Sequence, residues 1–294
     1  MIDAFLQYLQ YEKNFSSHTV LSYRNDLFSF RDYVIGEIGA FDIPRIGAPV
    51  VRNWILLLFE SGNSSRTVNR KLSTLKSFYR FLNLKGLYAL NPTKRIIPPK
   101  TKKPLPAFFK ENELEEAMGS LAHDDFKTEM SRLIIDLFYQ TGIRRSELIN
   151  LKDSDIDFLN HAISVIGKRN KQRIIPIGKN LELAIISYIA LRDKSVIRVS
   201  PYLFVTNKGK QLYPEYVYSL VHSVMRSVST LKKCSPHVLR HTFATVLLNR
   251  DADIDIVKTA LGHASLSATE VYTHTTFEQL QSIYKHAHPR AIKK

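Results

Sequence analysis

A single cysteine, Cys234, stands in a chain of 294 residues. It excludes an internal disulfide framework and any zinc site built from several cysteines, and it fits a reducing compartment. No apolar run approaches the roughly 18 residues needed to span a bilayer. The opening residues, MIDAFLQYLQYEKN, lack the basic start and apolar core of a secretory signal. The expectation is a cytoplasmic protein with no membrane partner. Internal repeats are missing, and low-complexity sequence is confined to one proline-rich stretch. Acidic residues are in short supply: 27 Asp and Glu face 42 Lys and Arg, a net charge of +15. That excess suits a phosphate backbone and makes nucleic acid the first partner to consider. A basic protein that is merely soluble, or one that binds an anionic membrane, has the same charge, so its location must decide.

The length suggests two domains of about 100 and 180 residues. Residues 1 to 14 read as a short helix burying Ile2, Phe5 and Leu9. From Ser17, the residues Val20, Tyr23, Leu27, Phe30 and Val34 recur at spacings of three and four, one buried helical face. A third helix, 48–60, turns Val51, Trp54 and Leu58 inward. A fourth, 65–84, buries Val68, Leu72, Leu75, Phe78 and Leu82. Its other side carries Arg66, Arg70, Lys71, Lys76 and Arg80, a run that suits a phosphate-facing surface and equally a solvated face. These elements predict an all-helical domain over 1–88. Residues 89–107 then change composition, with Pro92, Pro98, Pro99, Pro104 and Pro106 set among cations that include Lys100, Lys102 and Lys103. Proline extends such a linker to roughly 3 Å per residue. It could follow one side of a duplex, and two domains so joined could clamp DNA.

The second domain, 108–294, opens with a helix from about Lys110. A buried helix marked by Leu133, Ile134, Leu137 and Phe138 ends near Thr141-Gly142, and TGIRRSELINL follows. Over 156–177 the pattern becomes that of strands: HAISVIGK and QRIIPI flank a turn at Arg169-Asn170-Lys171, a hairpin with Lys168 at its basic tip. Helices are expected over 180–193 and 213–228. In SPHVLRHTFATVLLNRDADIDIVKTALGHASLSATEVYT, from Ser235, the serine can cap a helix starting at Pro236. His237, Arg240 and His241 then share its opening turn, an end that attracts anions. A second short helix from about Asp253 stops at Gly262, His263 follows, and a third carries Tyr272. The arrangement suggests an anion held by an arginine and two histidines, with a tyrosine hydroxyl ready to attack it.

Taken singly, these residues have ordinary explanations. Arg144 could be a capping charge, Lys168 a turn lysine, Tyr272 a core residue. His237 and His241 have the spacing of two helical metal ligands, but no zincin glutamate lies between them and Arg240 puts a cation beside the supposed metal. Taken in order, they form a pattern. The first arginine lies in Thr141-Gly142-Ile143-Arg144-Arg145-Ser146-Glu147-Leu148, the lysine in Gly167-Lys168, and His237-Val238-Leu239-Arg240 follows. Then come Leu261-Gly262-His263 and Glu270-Val271-Tyr272-Thr273-His274. With this set, and with SxxTxxxYxxDL from Ser16, the chain resembles the tyrosine recombinases of the phage-integrase family, and is most similar to the Xer type. One departure is Arg169 after Lys168, where many relatives have glycine.

The resemblance implies a mainly α, two-domain architecture. The amino-terminal part would be a SAM-like helical domain that binds the core site. The catalytic part would be mostly helical with a small antiparallel sheet, the DNA breaking-rejoining fold. It implies transesterification without cofactor or metal. Arg144 and Arg240 would clamp the phosphate, Tyr272 would attack it and His237 would accept the tyrosine proton. Lys168 would protonate the departing 5′ oxygen, His263 would donate a hydrogen bond, and Glu147 would orient His237 or its neighbours. Arg169 and Lys171 join the cations listed above as expected DNA contacts. The implied partners are a double-stranded recombination site, a tetrameric synapse with itself or a sister recombinase, and a DNA translocase as activator. Chromosome-dimer resolution and mobile-element integration share these motifs, and the lack of a further amino-terminal arm-site domain leans to the former. A non-catalytic DNA-binding module and a type IB topoisomerase remain as other readings. In the tail, 277–294, the apolar Phe277, Leu280, Ile283 and Tyr284 form a short helical face, which the resemblance implies is passed to a neighbouring protomer.

Overall fold

The computed structural model describes residues 1–101, 107–121, 125–167, 172–250 and 252–262. The chain divides into two compact units, Met1–Pro104 and Leu105–Lys294, each with its own apolar core. The described elements are helical apart from one three-stranded sheet.

In the first unit, α1 (Ile2–Gln7) runs into a π-helical turn, Tyr8–Glu12, where one unbroken helix was expected. The wider turn still buries Leu9 with Ile2 and Phe5. Helix α2 (Ser17–Ile38) is capped by Ser16, whose hydroxyl accepts from the Thr19 amide, and it ends at Gly39 in the left-handed conformation. Leu27, Phe30 and Val34 are buried, while Val20 and Tyr23 are only partly covered. Helix α3 (Ala48–Glu60) turns Val51, Trp54 and Leu58 inward, and Trp54 meets Phe30 edge-on at 4.9 Å between ring centres. Helix α4 (Ser65–Leu84), capped by Ser64, has the expected bounds and buries every apolar residue of the expected face. Truncating a buried aromatic of this kind costs about 3–5 kcal/mol, enough to fix how α2, α3 and α4 pack. The expected linker begins attached to this unit. Ile96 and Thr93 are buried, and the Asn69 amide donates to the Pro99 carbonyl at 2.8 Å.

The second unit is built on α6 (Phe126–Thr141), buried along nearly its whole length and packed against α8 (Lys179–Ser195) and α10 (Pro236–Asn249). The shorter α5 (Glu111–Gly119) packs on α9 (Pro214–Val228). A six-residue helix, α7 (Arg145–Asn150), occupies the SEL segment that the sequence left without an element. Strands β1 (Ile156–Asp157), β2 (Ala162–Ile166) and β3 (Gln172–Pro176) form an antiparallel sheet in that order. Ile163 lies opposite Ile175, and Val165 opposite Arg173. The last described helix, α11 (Ile254–Leu261), stops at Gly262 as expected. The helix expected around Tyr272 and the tail 277–294 lie outside the described residues. No helix among the described residues is long and apolar enough to cross a membrane.

Candidate active site

Two glycines bring the site together. Gly142 ends α6 with φ 57°, a backbone conformation that glycine adopts without strain. A Cβ at this position would collide with the ring of Phe243 on α10. The chain can therefore leave α6 tight against α10 and place Arg144 at the start of α7. There the Arg144 amide donates to Glu147 Oε2 at 2.8 Å, which satisfies one of the free amides of a helix start. Gly262 ends α11 at φ 62°. Its missing side chain leaves room for Arg173 and Arg144, whose atoms would lie 3.1 to 3.4 Å from a Cβ.

Three guanidinium groups converge on this corner. Arg144 donates from Nη1 to Glu147 Oε1 and from Nη2 to the Gly262 carbonyl, both at 2.7 Å. Arg240, reaching in from α10, donates from Nη1 to the Gly142 carbonyl and from Nη2 to the Leu261 carbonyl. Arg173, on β3, holds Glu147 with a fork, Nη1 to Oε1 at 2.6 Å and Nη2 to Oε2 at 2.8 Å. Its Nε donates to the Ala260 carbonyl at 3.2 Å. The final carbonyls of a helix have no donors within it and form the negative end of its dipole. Each of the last three carbonyls here, 260, 261 and 262, receives a different arginine.

The charges do not balance. Three positive groups face one carboxylate, leaving two net positive charges in a largely buried cluster. Burial, with Arg144 and Arg173 close by, pushes Arg240 down to about 9, so it stays protonated at neutral pH but at a cost. Burial alone would raise the Glu147 carboxyl, yet the hydrogen bond and charge of Arg173, followed by the bonds from Arg144, hold it below the usual carboxylate range. The Arg144 side chain is 27% exposed against 1% for Glu147, so the cluster opens to solvent through Arg144. A positively charged, partly dehydrated site of this kind favours an anion. Planar, permanently charged forks are the donors that match phosphate oxygens.

His237 lies one turn before Arg240 but points elsewhere. Arg240 is buried, while His237 and His241 are exposed, their rings edge-on with centres 4.7 Å apart. Partial withdrawal from water, then the neighbouring His241, Arg240 and Lys233, lowers the His237 pKa below its ordinary 6.5. The imidazole is neutral at pH 7 and able to accept a proton. Ser235 stands at the helix start, but only its carbonyl serves there, accepting from Val238 and Leu239. Its buried hydroxyl makes no hydrogen bond among the described residues. No cluster of three or more His, Cys, Asp or Glu among the described residues is placed to hold a metal.

Of the residues singled out from sequence, Arg144, Glu147 and Arg240 are thus brought together, with His237 on the same helix as Arg240. Glu147 differs from expectation, because its carboxylate binds Arg144 and Arg173 rather than His237. A buried carboxylate takes the nearest forked cations. Arg173 was missed, although the alternation of β3 put it on the inward face with Ile175, a position that strands normally give to apolar residues. Lys168, His263 and Tyr272 lie outside the described residues, as do Lys102, Lys103, Arg169 and Lys171. On α4, Arg66 and Arg80 are exposed and Lys76 is half-buried, while Lys100 beyond the helix is exposed. Arg70 is exposed but bonded to the carboxylate of Asp26 and to Ser22 Oγ at 2.9 Å. Lys71 turns inward, with a side chain only 13% exposed, and lies 3.6 Å from Asp26 and 5.7 Å above the Trp54 ring. Its ammonium neutralises a buried carboxylate and is withdrawn from the expected phosphate-facing set.

Comparison with known proteins bears on the family. Residues 107–279 match the model of the phage integrase family, and residues 2–86 match the phage integrase N-terminal SAM-like domain. Over 291 residues the chain is 38% identical to a tyrosine recombinase XerC of Staphylococcus epidermidis, spanning 99% of this chain and 98% of the relative. It is 36% identical to a tyrosine recombinase XerC of Staphylococcus aureus, with 99% and 97% covered. Its fold matches that of the XerH site-specific recombinase in a post-cleavage complex with palindromic difH substrate. The TM-score there is 0.73 at 21% identity, covering 99% of this chain and 82% of that one. With both units matched and relatives of this similarity along its whole length, the chain belongs to the phage integrase family, as an Xer-type site-specific tyrosine recombinase.

Proposed function

We propose that this recombinase resolves chromosome or plasmid dimers by cutting and rejoining a double-stranded recombination site within a tetramer, with itself or a sister recombinase. A DNA translocase would activate the tetramer. The XerC relatives support this role over mobile-element integration, which uses the same chemistry. Residues 1–88 with the linker 89–107, and residues 108–294, would serve as core-binding and catalytic halves of a clamp on DNA. Arg66, Arg70, Lys76, Arg80, Lys100, Lys102, Lys103, Arg169 and Lys171 would supply its backbone contacts.

The observation that carries the mechanism is the uncompensated positive cluster of Arg144, Arg240 and Arg173 around Glu147. The Tyr272 oxygen attacks the scissile phosphorus as its proton passes to His237. The bond to the 5′ oxygen breaks, and Lys168 gives that oxygen a proton. The 3′ phosphate is then held as a tyrosine ester. Negative charge develops on the nonbridging oxygens, where Arg144, Arg240 and His263 donate, so that guanidinium groups do the work often left to a metal ion. The ester keeps the bond energy, and a new 5′ hydroxyl can reverse the reaction on a different partner without ATP.

The direct test uses sites identified by sequencing the DNA bound to the protein in its own cell. A nicked suicide duplex carrying such a site should trap a covalent adduct in the presence of chelator. If adduct forms only with added magnesium, the mechanism is wrong. The pH dependence follows from His237. Because its pKa lies below 6.5, the base form persists through neutrality and is lost only on acidification. At subsaturating DNA, a condition that reports the free protein, adduct formation should therefore fall on acidification with its midpoint below pH 6.5. An acid limb centred above 6.5 would remove His237 as the acceptor.

A further inference from the structure

Arg173 adds its charge to the cluster but takes no step in the mechanism above, yet it is the most thoroughly committed of the three arginines. Its side chain is 5% exposed, opposite Val165 on the inward face of the sheet. Its fork covers both oxygens of Glu147, and its Nε covers the Ala260 carbonyl. The Arg144 side chain reaches only Glu147 Oε1 and is 27% exposed. A buried carboxylate must be neutralised, and the fork of an arginine does so better than a single bond. Without Arg173, the sole described side chain still hydrogen-bonded to Glu147 is Arg144, which would turn to bind both oxygens. The same loss would free the Ala260 carbonyl, one of three at the end of α11, the segment whose next residue is His263.

We propose that Arg173 is a positioning residue: by occupying Glu147 and pinning the end of α11, it keeps Arg144 turned toward the phosphate without touching DNA itself. The inference rests on the reading of Arg144 as a phosphate ligand. Charge gives it a distinctive signature. The cluster carries two net positive charges. Arg173→Gln would leave one, Glu147→Gln would leave three, and the two together would restore two. In the double variant Arg144 is no longer drawn onto a carboxylate, so it should recover function that the single variant lacks. A residue that matters only for folding predicts the opposite, with the second substitution adding to the damage.

The test uses the full-length protein and the nicked suicide duplex, with the single-turnover rate of adduct formation, the Kd for the same duplex and the melting temperature measured together. Misplacing a clamp by about 1 Å costs on the order of 10²-fold in rate, so Arg173→Gln should slow adduct formation about 10²-fold while Kd changes by less than about threefold. Glu147→Gln added to Arg173→Gln should recover about tenfold of that loss. Arg173→Lys keeps the charge but not the fork, and should lose at least about tenfold at unchanged Kd. Arg173→Lys carries the test alone if the glutamine variants melt below the assay temperature. An unchanged rate in Arg173→Gln, or in Arg173→Lys when that variant stands alone, overturns the proposal. So does a Kd that weakens as much as the rate, which would make Arg173 a phosphate contact, or a folded double variant no faster than the single. Absence of adduct with the unsubstituted protein would instead defeat the underlying reading. Normal adduct with an unaffected Arg173 variant defeats this inference alone.

Discussion

Tyr272→Phe is expected to bind its recombination site as tightly as the unsubstituted protein and to form no covalent adduct with it. The substitution removes one oxygen and leaves the ring, so packing and charge are nearly unchanged, and stability should shift by less than about 0.5 kcal/mol. What is lost is the atom that attacks phosphorus. Water cannot substitute, because the ester to the protein is itself the product measured. The assay is the nicked suicide duplex, read as protein-linked DNA after denaturation, beside a binding titration on the same duplex. An adduct that persists in this variant would move the nucleophile to another of the 14 tyrosines or to a serine.

Arg144→Ala and Arg240→Ala should each slow cleavage by about 10³-fold or more, since removing even one donor from a developing oxyanion costs about 10²–10³-fold and an arginine offers two. Their effects on stability should differ, and the difference tests the geometry. Arg144 is partly exposed, and Glu147 retains Arg173 when Arg144 is gone, so the first variant should fold almost normally. Arg240 is buried, and its loss leaves the Gly142 and Leu261 carbonyls without their donor. Each buried carbonyl so orphaned costs about 1–3 kcal/mol, offset in part by relief of repulsion from Arg144 and Arg173. Arg240→Ala should therefore melt earlier. Cleavage near the normal rate in either variant would show that the guanidinium groups do not carry the phosphate charge.

Much of this molecule could be read before its structure, and the failures have physical reasons. Helix α4 announces itself because five apolar residues keep one face over twenty positions and Ser64 supplies a cap. Helix α7 is too short to show a period, so the ordered residues around Arg144 carried the reading there. Lys71 sits next to Leu72 at the margin between the two faces of α4, where periodicity cannot say which way a long side chain turns. The deciding group is Asp26, forty-five residues away in sequence. Arg173 follows a basic hairpin tip in sequence and carries no motif of its own. A strand gives inward and outward positions by simple alternation, but a charge at an inward position is unremarkable until its partner is known, and Glu147 lies on a different element. Long-range pairing of charges is what single-sequence reading lacks. The local patterns that form helices and strands, and the short motifs that carry chemistry, are what it has.

Asp26 also bears on how the first unit would respond to salt. It is almost wholly buried, and it engages Arg70, Lys71 and Thr74 from within. When a protein binds a duplex, each phosphate it neutralises releases condensed counterions, and the logarithm of affinity falls by about 0.9 per phosphate for each decade of salt. Only a cation that can reach a phosphate adds to that slope. Lys71 is spoken for, and Arg70 is already paired with Asp26 before any phosphate arrives. The ionic footprint of α4 is therefore smaller than its five basic residues suggest, and the helix owes part of its charge to holding its own bundle together.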